Sequence, residues 1–169
     1  MDSLSTSMKL LAMGQFRPET SAKPPDFDKA RLDTDSLHIA QRAYQIAHDL
    51  DYWHLATHHL MYALLEHDFA SGDGMFVGFD IPISEFKYAM LVADPPGESA
   101  IHFKLPTSVN VWNCYMRAIT AAKSEFRLVS PRDILTGLLK HRQVVVDDVL
   151  AGFGIAIEDS AMIARVPPD

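Results

Sequence analysis

Thr57-His58-His59-Leu60-Met61-Tyr62-Ala63-Leu64-Leu65 has a counterpart 74 positions further on, Pro131-Arg132-Asp133-Ile134-Leu135-Thr136-Gly137-Leu138-Leu139. The same shift lays residues 34–83 on residues 108–157 without a gap. Thr34 falls on Ser108, Ala47 on Ala121, His67 on His141, Asp73 on Asp147, Gly78-Phe79 on Gly152-Phe153, and Ile81 and Ile83 on Ile155 and Ile157. Few paired residues are identical. What they share is apolar or turn-forming character, which packing constrains while a solvated face is free to diverge. A repeat of this kind marks two copies of one supersecondary unit, neither able to bury its apolar face alone.

Each copy reads as a run of helices. In the first, Thr34 is the expected N-cap with Asp35 in the first turn; Leu37, Ala40, Tyr44 and Ala47 form one stripe, and Ile39, Ala43, Ile46 and Leu50 a second. A helix apolar on two faces belongs at the centre of a bundle. Thr57 is expected to cap the next helix, Ser71-Gly72-Asp73-Gly74 to break it, and a short helix to end at Gly78. Pro82 then suits the first turn of a helix over residues 83–92, since its missing N–H is unpaired there anyway. In the second copy Ser108 caps a helix striped with Val111, Cys114, Ala118 and Ala121 and with Trp112, Tyr115, Ile119 and Ala122. Ser130-Pro131-Arg132-Asp133 is a strong start signal, combining cap, N1 proline and a third-position acid that can reach back to the cap N–H. Short helices over residues 144–150 and 157–164 complete the plan. The fold class is all-α, with about eight helices in two pseudo-twofold-related four-helix repeats, residues 34–94 and 108–164. Residues 101–106 read as an extended crossing segment, residues 1–33 as a flexible extension and residues 165–169 as a tail.

The chain has 169 residues, 48% hydrophobic and 22% charged, enough for one good core. A net charge of −7 without a Lys/Arg stripe argues against a nucleic-acid partner. The single Cys114 excludes an intramolecular disulfide framework and fits a reducing compartment. The apolar run Leu10-Leu11-Ala12-Met13 is too short for a signal peptide, and no run approaches the ~20 residues of a membrane span. A cytoplasmic monomer is the expectation.

Among the candidate chemical groups, His54, His58, His59 and His67 lie close in sequence. On one helix His59 and His67 stand about 12 Å apart along the axis, too far to share an ion. A site from His54 and His58 lacks an identifiable third ligand, so these histidines read as solvated or helix-capping and no metal is assigned. Cys114 sits on an apolar stripe, where a cysteine fills space, and has no histidine at a motif-defining spacing. Ser71-Gly72-Asp73-Gly74 follows no strand and lacks the Gly-x-Gly-x-x-Gly spacing, so it is a helix break and not a phosphate loop. The alternation of Trp112, Tyr115 and Ile119 reads as inter-repeat core. No catalytic residue and no cofactor is assigned.

The order of capped helix, "HLL-x-ALL"-like helix, short helix and "GF-x-I" turn resembles the Clp repeat, found in tandem as the N-terminal domain of Clp unfoldases. The residues that carry this are Thr57 to Leu65 and Pro131 to Leu139. Ile101-His102-Phe103, followed by Pro106 and Ser108, resembles the family's linker into the second repeat. The resemblance covers about residues 34–164. No Gly-x-x-x-x-Gly-Lys-Ser/Thr loop is present, so the chain is not the ATP-driven motor.

The resemblance implies a non-enzymatic protein-interaction module, an adaptor or accessory factor whose protein or peptide partner is a Clp-type ATPase or its substrates. The alternative is a stand-alone helical binding or metal-dependent regulatory domain unconnected with proteolysis. One branch of the family reads phosphoarginine through the Glu of a Thr-Glu-His triplet in each repeat. Here those positions hold His58 and Arg132, neither of which accepts a guanidinium. The expected partner-binding residues are Thr57, His58 and His59 at one helix start and Ser130, Arg132 and Asp133 at the other. Both starts offer unpaired N–H groups and a positive dipole end. With a protonatable His58 and a cationic Arg132 they are expected to face an acidic partner segment, more strongly as pH falls.

Overall fold

The structure, a computed structural model, describes residues 31–97, 105–141 and 143–155. The expected helix over 157–164, residues 1–30 of the extension, the tail and most of the crossing segment lie outside the described residues. Six helices are present among them: α1 (Thr34–Asp49), α2 (Thr57–Ser71), α3 (Ile83–Ala93), α4 (Val109–Ser124), α5 (Pro131–Leu139) and α6 (Val144–Gly152). The described residues form no strand, only two isolated bridges. No described helix is long and apolar enough to cross a membrane.

Those two bridges show the pseudo-twofold in hydrogen bonds. Leu32, entering the first unit, pairs with Val129 in the second unit's first connection, and Thr107, entering the second unit, pairs with Leu55 in the first unit's connection. Asp33 N–H donates to Val129 O at 3.0 Å and Val129 N–H to Arg31 O at 2.8 Å. Ser108 N–H donates to Leu55 O at 2.9 Å and Leu55 N–H to Pro106 O at 2.8 Å. Each unit thus satisfies backbone groups of the other, which holds the halves in one body. Leu32 is buried and Asp33 caps α1, accepting Ser36 N–H at 2.7 Å. The ordered unit therefore begins before Thr34, and Asp33 takes the capping role expected of Thr34.

The repeat is not gapless. Asp33 and Ser108, the caps of α1 and α4, are 75 positions apart, whereas Ala56 and Ser130, the caps of α2 and α5, are 74 apart. The left-handed residues Asp51 and Phe126 keep the first spacing, and the bridging residues Leu55 and Val129 keep the second. The additional residue of the first unit therefore lies in Tyr52-Trp53-His54, opposite Arg127-Leu128.

Every residue from Thr57 to Leu65 is buried, so the first half of α2 is the centre of the bundle. It packs on α1, α3, α4, α5 and α6. The equivalent α5 ends after nine residues, but α2 runs fifteen and stops at Gly72 in the left-handed region, whose N–H caps Asp68 O at 2.9 Å. Asp68 then accepts the N–H groups of Met75 at 2.6 Å and Phe76 at 3.1 Å. Residues 75–78 form a turn where a short helix was expected, because the longer α2 and the left-handed Gly72, Gly74 and Gly78 leave too few residues for one. The second unit keeps that helix as α6. Pro82 stands one position earlier than expected, as the N-cap of α3, and Phe86 and Met90 of α3 are fully buried.

Candidate functional site

The start of α2 is enclosed. Thr57, His58 and His59 are all buried, with His58 1% and His59 0% exposed. The N-cap is Ala56, which has no side-chain acceptor, so Thr57 does not have the expected capping role. Instead His59, at the third position, turns back and its Nδ1 accepts the Ala56 N–H at 3.0 Å. The His58 and His59 rings lie 4.1 Å apart, and Tyr52 packs against both, at 4.3 Å from His59 and 5.5 Å from His58. Across the cluster His58 Nε2 stands 3.4 Å from Asp94 Oδ2 at the end of α3, and the Tyr52 hydroxyl donates to the Asp94 backbone carbonyl.

These rings are neutral at ordinary pH. Burial, with the neighbouring His54, pushes His58 down to about 3. Burial, with His58 and His54, pushes His59 down to about 2. Burial lowers His54 as well, against the pull of Asp94. The expectation of a solvent-facing, protonatable His58 is therefore corrected. A residue carried by the first turn of a central helix has its side chain inside, and desolvation outweighs the nearby carboxylate.

At the other start, Asp133 is also turned inward. Its carboxylate accepts the Ser130 N–H at 2.8 Å and hydroxyl at 2.9 Å, and both its oxygens accept from Arg127, one at 2.8 Å. Burial raises its pKa, but the Arg127 and Ser130 hydrogen bonds outweigh that and hold it below its ordinary value. Arg132 remains partly exposed and donates from Nη2 to Asp73 O at 3.2 Å. The six expected residues thus divide. Thr57, His58, His59 and Asp133 are buried, and only Ser130 and Arg132 retain surface.

What the structure opens instead is a groove between the leading helices of the two units. Leu37, Ala40 and Tyr44 of α1 face Trp112 and Tyr115 of α4 across a cavity of about 570 Å³, with Leu55 and Leu105 also on its wall. Tyr44 Oη accepts the Leu105 N–H at 3.1 Å. That volume and apolar lining suit a peptide side chain or two. Sequence reasoning placed Trp112 and Tyr115 in inter-repeat core; Tyr115 is buried, but Trp112 is only half-buried and both line the groove. The available signal was the pair of stripes that carry Leu37, Ala40 and Tyr44 on α1 and Trp112 and Tyr115 on α4, over which the described residues place no further helix.

Cys114 is fully buried, its thiol donating to Ile134 O at 3.3 Å, and burial pushes it up to about 12. Among the described residues no three His, Cys, Asp or Glu side chains are arranged to hold a metal ion.

No protein-family model and no curated protein sequence matches the chain. Solved structures do. The N-terminal domain of the caseinolytic protease associated chaperone ClpD from Arabidopsis thaliana superimposes with a TM-score of 0.65 at 17% identity, covering 80% of this chain and 91% of that one. A structure described as a preliminary investigation of a malarial protein secretion system superimposes with a TM-score of 0.60 at 18% identity, covering 80% and 93%. The chain has the fold of a Clp N-terminal domain.

Proposed function

We propose that the chain is a non-enzymatic interaction module that serves a cytoplasmic Clp-type chaperone or protease as an adaptor or accessory factor. The observation that carries this reading is the fold likeness to the ClpD N-terminal domain, which spans 91% of that domain. The inaccessible Cys114 thiol supports a non-catalytic role, because only an exposed thiolate would act as a nucleophile. The docking face in this reading is the α1/α4 groove, and its occupant is an extended apolar segment of a client or of the ATPase. Crosslinking capture from native lysate with the wild-type chain and with Leu37→Glu, which places a charge on the groove wall, tests it. A Clp-type AAA+ protein should be recovered by the wild type and lost by the folded variant. Recovery of other partners only, or equal recovery by both, would refute the reading.

A further inference from the structure

We propose that the start of α2 is an acid-sensitive latch, at which protonation of the buried His58–His59 pair opens the first unit while the second unit stays closed. This goes beyond the interaction reading and does not depend on it.

The geometry makes the latch conditional on a neutral ring. His59 accepts the Ala56 N–H through Nδ1, so its proton sits on Nε2, which has no hydrogen-bond partner among the described residues. A proton added at Nδ1 would set two donors against each other and remove the cap bond. It would also place a charge 4.1 Å from the His58 ring centre in a fully buried setting.

The groups that face the pair come from two places. His54 and Tyr52 stand on the α1–α2 connection, and Asp94 at the end of α3. Among the described residues the other helices packed on α2 put no ion-pair partner on either ring. Among the described residues Asp94 is the one counter-charge, 3.4 Å from His58 and 37% exposed at its side chain. The Tyr52 hydroxyl also holds the Asp94 carbonyl, so the cluster joins the α1–α2 connection to α3 and its opening frees both.

The second unit is built with the opposite sign. Asp133 occupies the position of His59 and is charged when it caps, with the Arg127 guanidinium across from it. Mild acid leaves that pair intact. In an opened first unit each histidine returns to its ordinary pKa of 6.5. At pH 5 this favours opening by about 30-fold per histidine, and about a thousandfold for the pair.

Amide hydrogen exchange by NMR on the full chain between pH 7.5 and 5.0, corrected for intrinsic rates, tests the latch. Residues 56–62 should lose about a thousandfold in protection and residues 130–136 less than about tenfold. In His59→Gln the amide oxygen can accept the same N–H without titrating, and the loss should be about 30-fold smaller. Equal loss in both units, no loss, or a variant that follows the wild type would overturn the proposal. Should the variant fail to fold, ring nitrogen shifts of the wild type decide. A neutral Nε2–H tautomer in the protected state at both pH values supports the latch, and a protonated His59 in the protected state overturns it.

Discussion

His59 and Asp133 stand at the same third position of equivalent helices, and each accepts the backbone N–H of its own N-cap, from Ala56 at 3.0 Å and from Ser130 at 2.8 Å. One does so as a neutral ring and the other as a carboxylate. The same structural task therefore responds to pH in different ranges in the two halves.

For the second half the sign follows from Asp133, whose folded pKa lies below its ordinary 3.8. Its contribution is fully present above that ordinary value and is lost as pH falls through the folded one. Asp133→Asn should cost about 1–3 kcal/mol at pH 7, since it weakens charge-assisted bonds to Arg127 and Ser130. Urea denaturation should show the gap to wild type closing below about pH 3.5. A gap that is constant with pH would mean the residue acts by packing alone.

Gly137 marks a close approach of α4 and α5. A Cβ there would lie 2.7 Å from the Cys114 carbonyl oxygen and 3.5 Å from the Ala118 nitrogen, both backbone atoms with little room to yield. Gly137→Ala gains about 1 kcal/mol of helix propensity but should lose more to overpacking, for a net destabilisation of about 1–3 kcal/mol. A midpoint in urea that rises would show that the helices can separate freely.

Phe126 is 99% exposed and has φ 57, a left-handed backbone in which its ring gains no packing. Asp51, its counterpart in the first unit at φ 58, tolerates that region better. Phe126→Asn should stabilise the fold by about 0.5–1 kcal/mol, seen as a higher thermal midpoint. A lower midpoint would assign the ring a packing role.

Truncation should separate the first described residues from those before them. A chain beginning at Thr34 lacks the Leu32 bridge to Val129 and the Asp33 cap on Ser36. Relative to one beginning at Arg31 it should lose about 2–4 kcal/mol, from a buried leucine and a cap together. Equal denaturation curves would show that neither contact contributes.

Much of the fold was legible because local rules and packing agree in the second unit. Ser130, Pro131 and Asp133 act together at the start of α5 as their sequence order suggests, and Ser108 accepts the Val111 N–H at 3.4 Å. Helix starts were misplaced by one residue in the first unit because Thr34 and Thr57 are good caps by type, yet Asp33 and His59 do the capping. Side-chain type alone does not say which neighbour's hydroxyl or ring reaches the free N–H. The one-residue slip at Tyr52-Trp53-His54 was hidden for a similar reason. A helical stripe shifted by one position still meets apolar residues, so Ala47 matches Ala121 in sequence although the buried partner of Ala47 is Ala122.

By itself the sequence determined the all-α class, the duplication and the likeness to a Clp repeat, because apolar period, caps and glycine breaks are local properties that recur at nearly constant spacing. Only the tertiary structure decided what that surface offers. His58 reads along the chain as a solvent-facing, protonatable group and His59 as a solvated or helix-capping one, but α2 lies at the centre of the bundle, and burial there holds both rings neutral in the core. Tyr44 and Trp112 look like core, but the α1 and α4 faces that carry them meet across an open groove. Burial depends on which faces of distant helices meet, and residue type and spacing along one chain leave that undetermined.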